Sequence, residues 1–208
     1  NSVVTCISMN PSDEKSICCS GKGIFRQISK SDKGFSMKQS PTANKDNIDF
    51  KSHIWIDSNG KDNRIITAAA DGHIYCIEGS NYISTIQMKN STNSPVTHLT
   101  PTPKGFACVT DSNTMHFFEK QADAKTFLEA NVITVDQTAT ISSVAMSPTD
   151  DKIVILMNDS RLISLPLVSQ DQSAHVEPTL LLPPHHVGQI NGIDVAFRKQ
   201  LLVTCGED

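Results

Sequence analysis

The chain has 208 residues, 38% of them hydrophobic, and a formal net charge of −4 with both signs scattered along it. That length allows one domain of fair size. The charge pattern lacks the basic stripe that nucleic acid requires and any polybasic cluster aimed at a membrane surface. No apolar run approaches the roughly 20 residues of a membrane-spanning helix.

The composition is rich in Ser, Thr, Asn, Ile and Val, which suits strands joined by polar turns. Val3 to Met9 reads as a first strand. It ends in the turn Asn10-Pro11-Ser12-Asp13, where Pro presets φ and Asp can bond its own backbone. Ile17 to Ser20 is a second strand, Gly21-Lys22-Gly23 a turn, and Ile24 to Ile28 a third strand. Gly-Lys-Gly is read as a hairpin turn. A phosphate loop needs G-x-x-x-x-G-K-[ST] between a strand and a helix, and neither is present. Residues 30–49 are polar, an insertion between units or an outer strand with long loops.

The second unit carries Ile54-Trp55-Ile56, the turn Asp57-Ser58-Asn59-Gly60 and the strand Arg64 to Ala69. Asp71-Gly72 follows as a hairpin signal, then His73 to Ile77, and Tyr82 to Met88 as an outer strand. Trp55, the single tryptophan, is expected to pack between units; the alternative is a binding hot spot. The third unit runs through Val96 to Thr100, Phe106 to Val109 and Met115 to Glu119. Phe127 to Ala130 could be helical, but the β-branched run from Val132 to Val135 favours a fourth strand. The fourth unit is the most regular, with Ile141 to Met146, Lys152 to Met157, Arg161 to Leu165 and Thr179 to Leu182.

These units repeat. Val4-x-x-Ile7-x-Met9-Asn10-Pro11 aligns with Ile141-x-x-Val144-x-Met146-Ser147-Pro148, and weaker copies start at Phe50, Val96 and Ile190. The starts are 46, 46, 45 and 49 residues apart. A period slightly above 40–45 residues, with several short strands in each, marks β-propeller blades. The last stretch, His185 to Asp208, has the His-containing turn, the apolar first strand, the second strand and the closing Asp of half a WD40 repeat. The expected fold is therefore all-β: a WD40 β-propeller, about four and a half blades of a larger ring. The blades fall at approximately 1–48, 49–94, 95–139 and 140–187, with a half blade at 188–208. The chain is expected to be an excerpt whose ring is completed from outside it, and to aggregate when expressed alone.

The side chains offer little chemistry. The six cysteines, Cys6, Cys18, Cys19, Cys76, Cys108 and Cys205, lie in predicted strands with no C-x-x-C pair. They read as free, buried thiols rather than a zinc site. His186, Thr204 and Asp208 fit the hydrogen-bonded His, Ser/Thr and Asp set of a WD40 blade, which is structural because polar groups buried in a sheet must be paired. A hydrolase triad is the weaker reading, since Thr is a rare nucleophile away from a free N-terminus. Adjacent His185 and His186 point to opposite faces of a strand, which argues against a metal pair. Neither a catalytic residue nor a cofactor or metal site is expected.

Several stretches go beyond the generic repeat. They are Cys18-Cys19-Ser20-Gly21-Lys22-Gly23-Ile24-Phe25, Ser52-His53-Ile54-Trp55-Ile56 and Ala69-Ala70-Asp71-Gly72-His73-Ile74-Tyr75. Lys104-Gly105-Phe106-Ala107-Cys108 follows with Phe118-Glu119-Lys120. The last is Gly188-Gln189-Ile190-Asn191-Gly192-Ile193 with Arg198-Lys199 and Thr204-Cys205. In this order they resemble the tandem WD40 region of the cilia- and flagella-associated protein 57 family. Gln200 and the pair Gly206-Glu207 depart from that family's pattern. The resemblance implies a non-enzymatic scaffold of the motile-cilium axoneme. Such a scaffold would help to dock or regulate inner dynein arms near the nexin-dynein regulatory complex. Its partners would be axonemal proteins: inner-arm dynein subunits, regulatory-complex components or the doublet surface, with neither nucleic acid nor membrane. Residues 30–49 and 170–177 are candidate contact loops. Another inner-arm tether component and a ubiquitin-ligase substrate adaptor share the fold and remain alternatives.

Overall fold

A computed structural model describes residues 3–38, 48–56, 64–79, 81–89, 94–121, 126–167, 177–183, 186, 190–196, 198–199 and 201–207. The regular elements among them are all β-strands. The chain forms two compact units, Asn1–Val135 and Asp136–Asp208.

The first unit contains three four-stranded antiparallel sheets. Blade 1 is β1 (Val3–Asn10), β2 (Asp13–Lys22), β3 (Ile24–Ser31) and β4 (Gly34–Lys38). Blade 2 is β5 (Phe50–Ile56), β6 (Arg64–Ala69), β7 (Ile74–Glu78) and β8 (Asn81–Ile86). Blade 3 is β9 (Val96–Thr102), β10 (Gly105–Thr110), β11 (Thr114–Lys120) and β12 (Phe127–Thr134). The second unit holds blade 4, β13 (Ile141–Met146), β14 (Lys152–Met157), β15 (Leu162–Pro166) and β16 (Thr179–Leu182). It also holds the two-stranded sheet of β17 (Ile190–Ala196) and β18 (Leu201–Gly206). In every sheet the spatial order follows the chain order, so each blade is a meander of hairpins. The first strands begin at Val3, Phe50, Val96, Ile141 and Ile190, which reproduces the repeat read from the sequence.

Blade 2 explains how the first unit coheres. Successive side chains of a strand point to opposite faces. In β6, Ile65 packs with Cys18 and Phe25 of blade 1 and with Trp55. Its neighbour Ile66 packs with Leu99, Phe106 and Phe118 of blade 3. All six residues of β6 are buried. Its apolar residues Ile65, Ile66, Ala68 and Ala69 therefore do not alternate with exposed ones, as in a sheet covered on both faces. Each such isoleucine contributes about 1.5–3 kcal/mol of burial. Trp55 belongs to this junction between blades and is 9% exposed, so it is a packing residue.

The turns joining second to third strands share one geometry in three blades. Ala69 N donates to His73 O at 2.9 Å and Met157 N to Arg161 O at 2.9 Å. The three-residue loops so closed end on Gly72 (φ 83) and Ser160 (φ 68), and Asn113 (φ 57) ends the matching loop 111–113. The Asp71-Gly72 pair is the hairpin signal read from the sequence, a pair most common in two-residue loops. The loop is one residue longer, with only its last residue left-handed, a recognised three-residue hairpin form.

Two open alternatives are decided in favour of strands. Within the polar stretch 30–49, Gly34–Lys38 is the outer strand of blade 1, paired residue for residue with β3. At the end of blade 3, Phe127–Thr134 is one continuous strand, and the helical reading of Phe127 to Ala130 fails. Phe127 and Glu129 are buried while Leu128 is exposed, which is the period of a strand.

Candidate functional site

The polar chemistry of the first unit is concentrated where blades meet. At the junction of blades 1 and 2, His53 of β5 sits between two serines. Its Nε2 lies 2.6 Å from Ser8 Oγ on β1, and its Nδ1 lies 2.7 Å from Ser20 Oγ on β2. Trp55 Nε1 donates to the same Ser8 Oγ at 2.9 Å. Thr5 Oγ1 completes the seam by donating to Phe50 O at 2.9 Å. His53 is 3% exposed, and burial pushes its pKa down to about 4. A neutral imidazole has one N–H donor and one acceptor nitrogen, so it satisfies one serine by each role.

This arrangement has the contacts of a serine–histidine couple but not its electrostatics. The second ring nitrogen faces a serine hydroxyl, where a catalytic histidine has a carboxylate to stabilise its protonated form. Burial that opposes protonation also opposes taking a proton from Ser8. The set is suited to pairing buried polar groups across two blades.

At the junction of blades 2 and 3, His116 Nδ1 of β11 lies 2.5 Å from Glu129 Oε1 of β12, with both side chains almost fully buried. The other carboxylate oxygen, Oε2, accepts the backbone N–H of Lys89 at 2.9 Å, and Lys89 Nζ donates to Glu129 O at 3.2 Å. Glu129 thus ties the exit of blade 2 to the outer strand of blade 3. On blade 2, Arg64 Nη2 donates to Glu78 Oε2 at 3.0 Å.

In the second unit, His186 Nε2 lies 2.8 Å from Thr204 Oγ1. Asp208, the third member of the expected set, lies outside the described residues, as does His185. Arg161 joins Asp159 and Asp136 at 2.6 and 2.7 Å. Hydrogen bonds from Thr138, and then that guanidinium, hold the Asp136 pKa down to about 2. Among the described residues no group of three or more His, Cys, Asp or Glu side chains could hold a metal ion.

The cysteines are all free, but they are not alike. Cys18, Cys76 and Cys108 are buried, Cys6 and Cys19 are half-buried, and Cys205 is exposed. Burial pushes the Cys18 thiol well up, Cys76 to about 11 and Cys108 to about 12. The expectation of buried thiols fails for Cys205, because β18 is exposed at most positions.

The sites of greatest interest for binding are therefore surfaces. Phe35 and Met37 of β4 are 71% and 63% exposed. Residues 39–47 and 170–176, most of the two expected contact loops, lie outside the described residues.

Comparison with known proteins fits this geometry. No protein-family model matches the chain. It is 24% identical to cilia- and flagella-associated protein 57 A of Tetrahymena thermophila over 96% of its length. It is 22% identical to the mouse cilia- and flagella-associated protein 57 over 100% of its length. The chain spans 16% and 21% of those two relatives. Among solved structures it matches the Cps50 (Swd1) β-propeller domain of Myceliophteria thermophila. That match has a TM-score of 0.69 at 13% identity and covers 100% of this chain and 68% of that one. A Bacteroides uniformis protein described as a 6-phosphogluconolactonase matches with a TM-score of 0.65 at 12% identity, covering 95% of this chain and 62% of that one. At such identities the structural matches establish the fold and not the activity. The chain has the all-β fold of a WD40 β-propeller, and along its whole length it is similar to cilia- and flagella-associated protein 57.

Proposed function

We propose that this chain is part of a non-enzymatic WD40 scaffold in the axoneme of motile cilia, helping to dock or regulate inner dynein arms near the nexin-dynein regulatory complex. The observation that carries the reading is similarity over 96% and 100% of the chain to ciliary proteins of a ciliate and a mammal. The structure is compatible with it. A buried histidine, His53, and a buried acid, Glu129, are used to join blades, which gives a stiff body able to hold variable loops in place. In this reading His186, Thr204 and Asp208 are a structural set that fixes the last two-stranded sheet. The partners are axonemal proteins, with inner-arm dynein subunits and regulatory-complex components foremost.

The reading is tested on isolated motile cilia. The membrane is removed with detergent, the axonemes are extracted with rising salt, and each fraction is blotted for the protein. Retention on the axoneme with release alongside inner-arm dyneins is expected. Loss with the membrane and matrix fraction would overturn the axonemal reading while leaving the propeller intact.

A further inference from the structure

Outer strands of sheets present unpaired N–H and C=O groups, and proteins usually blunt them with bulges, short length or charge. Three of the four blades do so by irregularity. The pairing of the outer strand is broken between Cys76 and Ile77 in blade 2, between Phe117 and Phe118 in blade 3, and between Leu162 and Ile163 in blade 4. Blade 1 differs. From Ser31↔Gly34 to Gln27↔Lys38 the ladder between β3 and β4 runs without a shift, and all five residues of β4 are exposed. The two-residue turn makes Ser31 and Gly34 the hydrogen-bonded closing pair. Alternation then aims the backbone groups of Phe35 and Met37 at the open edge.

The side chains around this edge have one character. Met37 lies opposite Ile28 and Phe35 opposite Lys30, so the two exposed apolar side chains share a face with Lys30. Arg26 joins them, its Nη1 3.9 Å from Met37 Sδ. Lys33 precedes β4, Lys38 ends it, and Asp32 is the single acid of the hairpin. Among the described residues none of these four cations sits in an ion pair. A chain with net charge −4 thus gathers four cations and one anion on this hairpin. The lysines disfavour pairing with a second β4 and favour a strand of opposite charge.

We propose that the edge of β4 is a docking site for an acidic, extended segment of a partner protein. The segment adds to blade 1 as a fifth antiparallel or parallel strand. Its backbone pairs with Phe35 and Met37, its alternate apolar side chains cover those two residues, and its carboxylates, turned to the opposite face, meet Lys38 and, at the turn, Lys33. This is β-strand addition, in which the ladder supplies affinity and alternate side chains supply specificity. The proposal rests on reading the chain as a docking module, but not on where in the cell it docks.

The test uses the purified full-length protein and fluorescein-labelled decapeptides. The probes are alternating glutamate and valine, alternating lysine and valine, and the glutamate peptide with two central valines replaced by proline. Anisotropy should show the first binding at least tenfold more tightly than either other. Lys33→Glu with Lys38→Glu should reverse the preference between the charged peptides. Met37→Pro should weaken the glutamate peptide at least tenfold with an unchanged melting curve; should that variant unfold, the charge reversal alone decides. Equal binding of the two charged peptides, binding indifferent to both variants, or no saturable binding would overturn the proposal. Self-association of the protein that Met37→Pro abolishes would assign the edge to a second copy and overturn it as well. Failure here leaves axonemal retention untouched, and failure there leaves peptide binding untouched.

Discussion

His53 and Ser20 stand 33 residues apart in sequence and 2.7 Å apart in the structure, on the first strand of blade 2 and the second strand of blade 1. Ser8 holds the other ring nitrogen and Trp55 binds Ser8, so three side chains from three strands are organised around one neutral imidazole. The burial that depresses the His53 pKa to about 4 has a consequence for stability. The unfolded chain takes up a proton at His53 near pH 6.5, while the folded one does not until about pH 4. Stability from this group is therefore full above pH 6.5 and declines as pH falls toward 4, by on the order of 3 kcal/mol. His53→Gln should flatten that part of the stability–pH curve and lower stability at pH 7.5 by about 1–3 kcal/mol, the cost of leaving buried groups unpaired. Denaturant melts of both proteins across pH 4–8 check this; equal slopes would remove His53 from the account.

The junction between blades 2 and 3 predicts a different pattern. Glu129 is buried and supports both His116 and the Lys89 backbone N–H. Removing one partner of a buried hydrogen bond leaves the other unsatisfied at a cost of about 1–3 kcal/mol, whereas replacing both with apolar residues can be nearly neutral. Glu129→Leu should thus be destabilising, and His116→Leu combined with Glu129→Leu should recover most of the loss. A double variant as unstable as the sum of the singles, read from urea midpoints, would mean that the two side chains act independently.

The sequence shows why blades were legible and their fastenings were not. Repetition of Val4-x-x-Ile7 and Ile141-x-x-Val144 exposes the first strands, although of these four Ile141 is buried while Val4 and Ile7 are exposed. The outer strand β4 offered no such signal. Its side chains are all exposed, so its place is set by the backbone ladder to β3 and by nothing that a pattern of hydrophobicity records. Glu129 looks like any surface glutamate in Phe127-Leu128-Glu129-Ala130. Only the register that sets Phe118 against Glu129 shows that it faces inward beside His116. Likewise Ser8, Ser20 and His53 are ordinary strand residues until two sheets are stacked. The loop ends Gly72, Asn113 and Ser160 share a left-handed backbone despite three different side chains, a conformation that the polar turn composition alone does not specify.

Two strand glycines should prove intolerant for a steric reason. A Cβ on Gly105 would lie 2.2 Å from Phe118 O, and one on Gly21 would lie 1.9 Å from Val3 O. Both obstacles are backbone atoms of a neighbouring strand, which cannot swing aside as a side chain can. Gly105→Ala should therefore part β10 from β11 and cost at least the about 1–3 kcal/mol of overpacking a core. The loss should appear in thermal melts and as faster amide exchange at Phe106 and Phe118. A variant with wild-type melting would show that the two strands can separate at no cost.

Thiol reactivity separates the cysteines. Alkylation proceeds through the thiolate and requires access. Cys18 and Cys108 are buried with their pKa values raised, and Cys76 is buried with its own raised to about 11. Cys205 is exposed, with its sulfur only weakly engaged at 3.8 Å from Gly192 O. Iodoacetamide at pH 8 should label Cys205 first in the native protein, Cys6 and Cys19 more slowly, and the three buried thiols only after denaturant is added. Peptide mass mapping over a time course gives the order. Early labelling of Cys76 or Cys108 would show that blades 2 and 3 part readily in solution, and the stiff interior attributed to this unit would have to be abandoned. Protection of Cys205 in the full-length protein, with labelling in the denatured one, would place a covering element over β18.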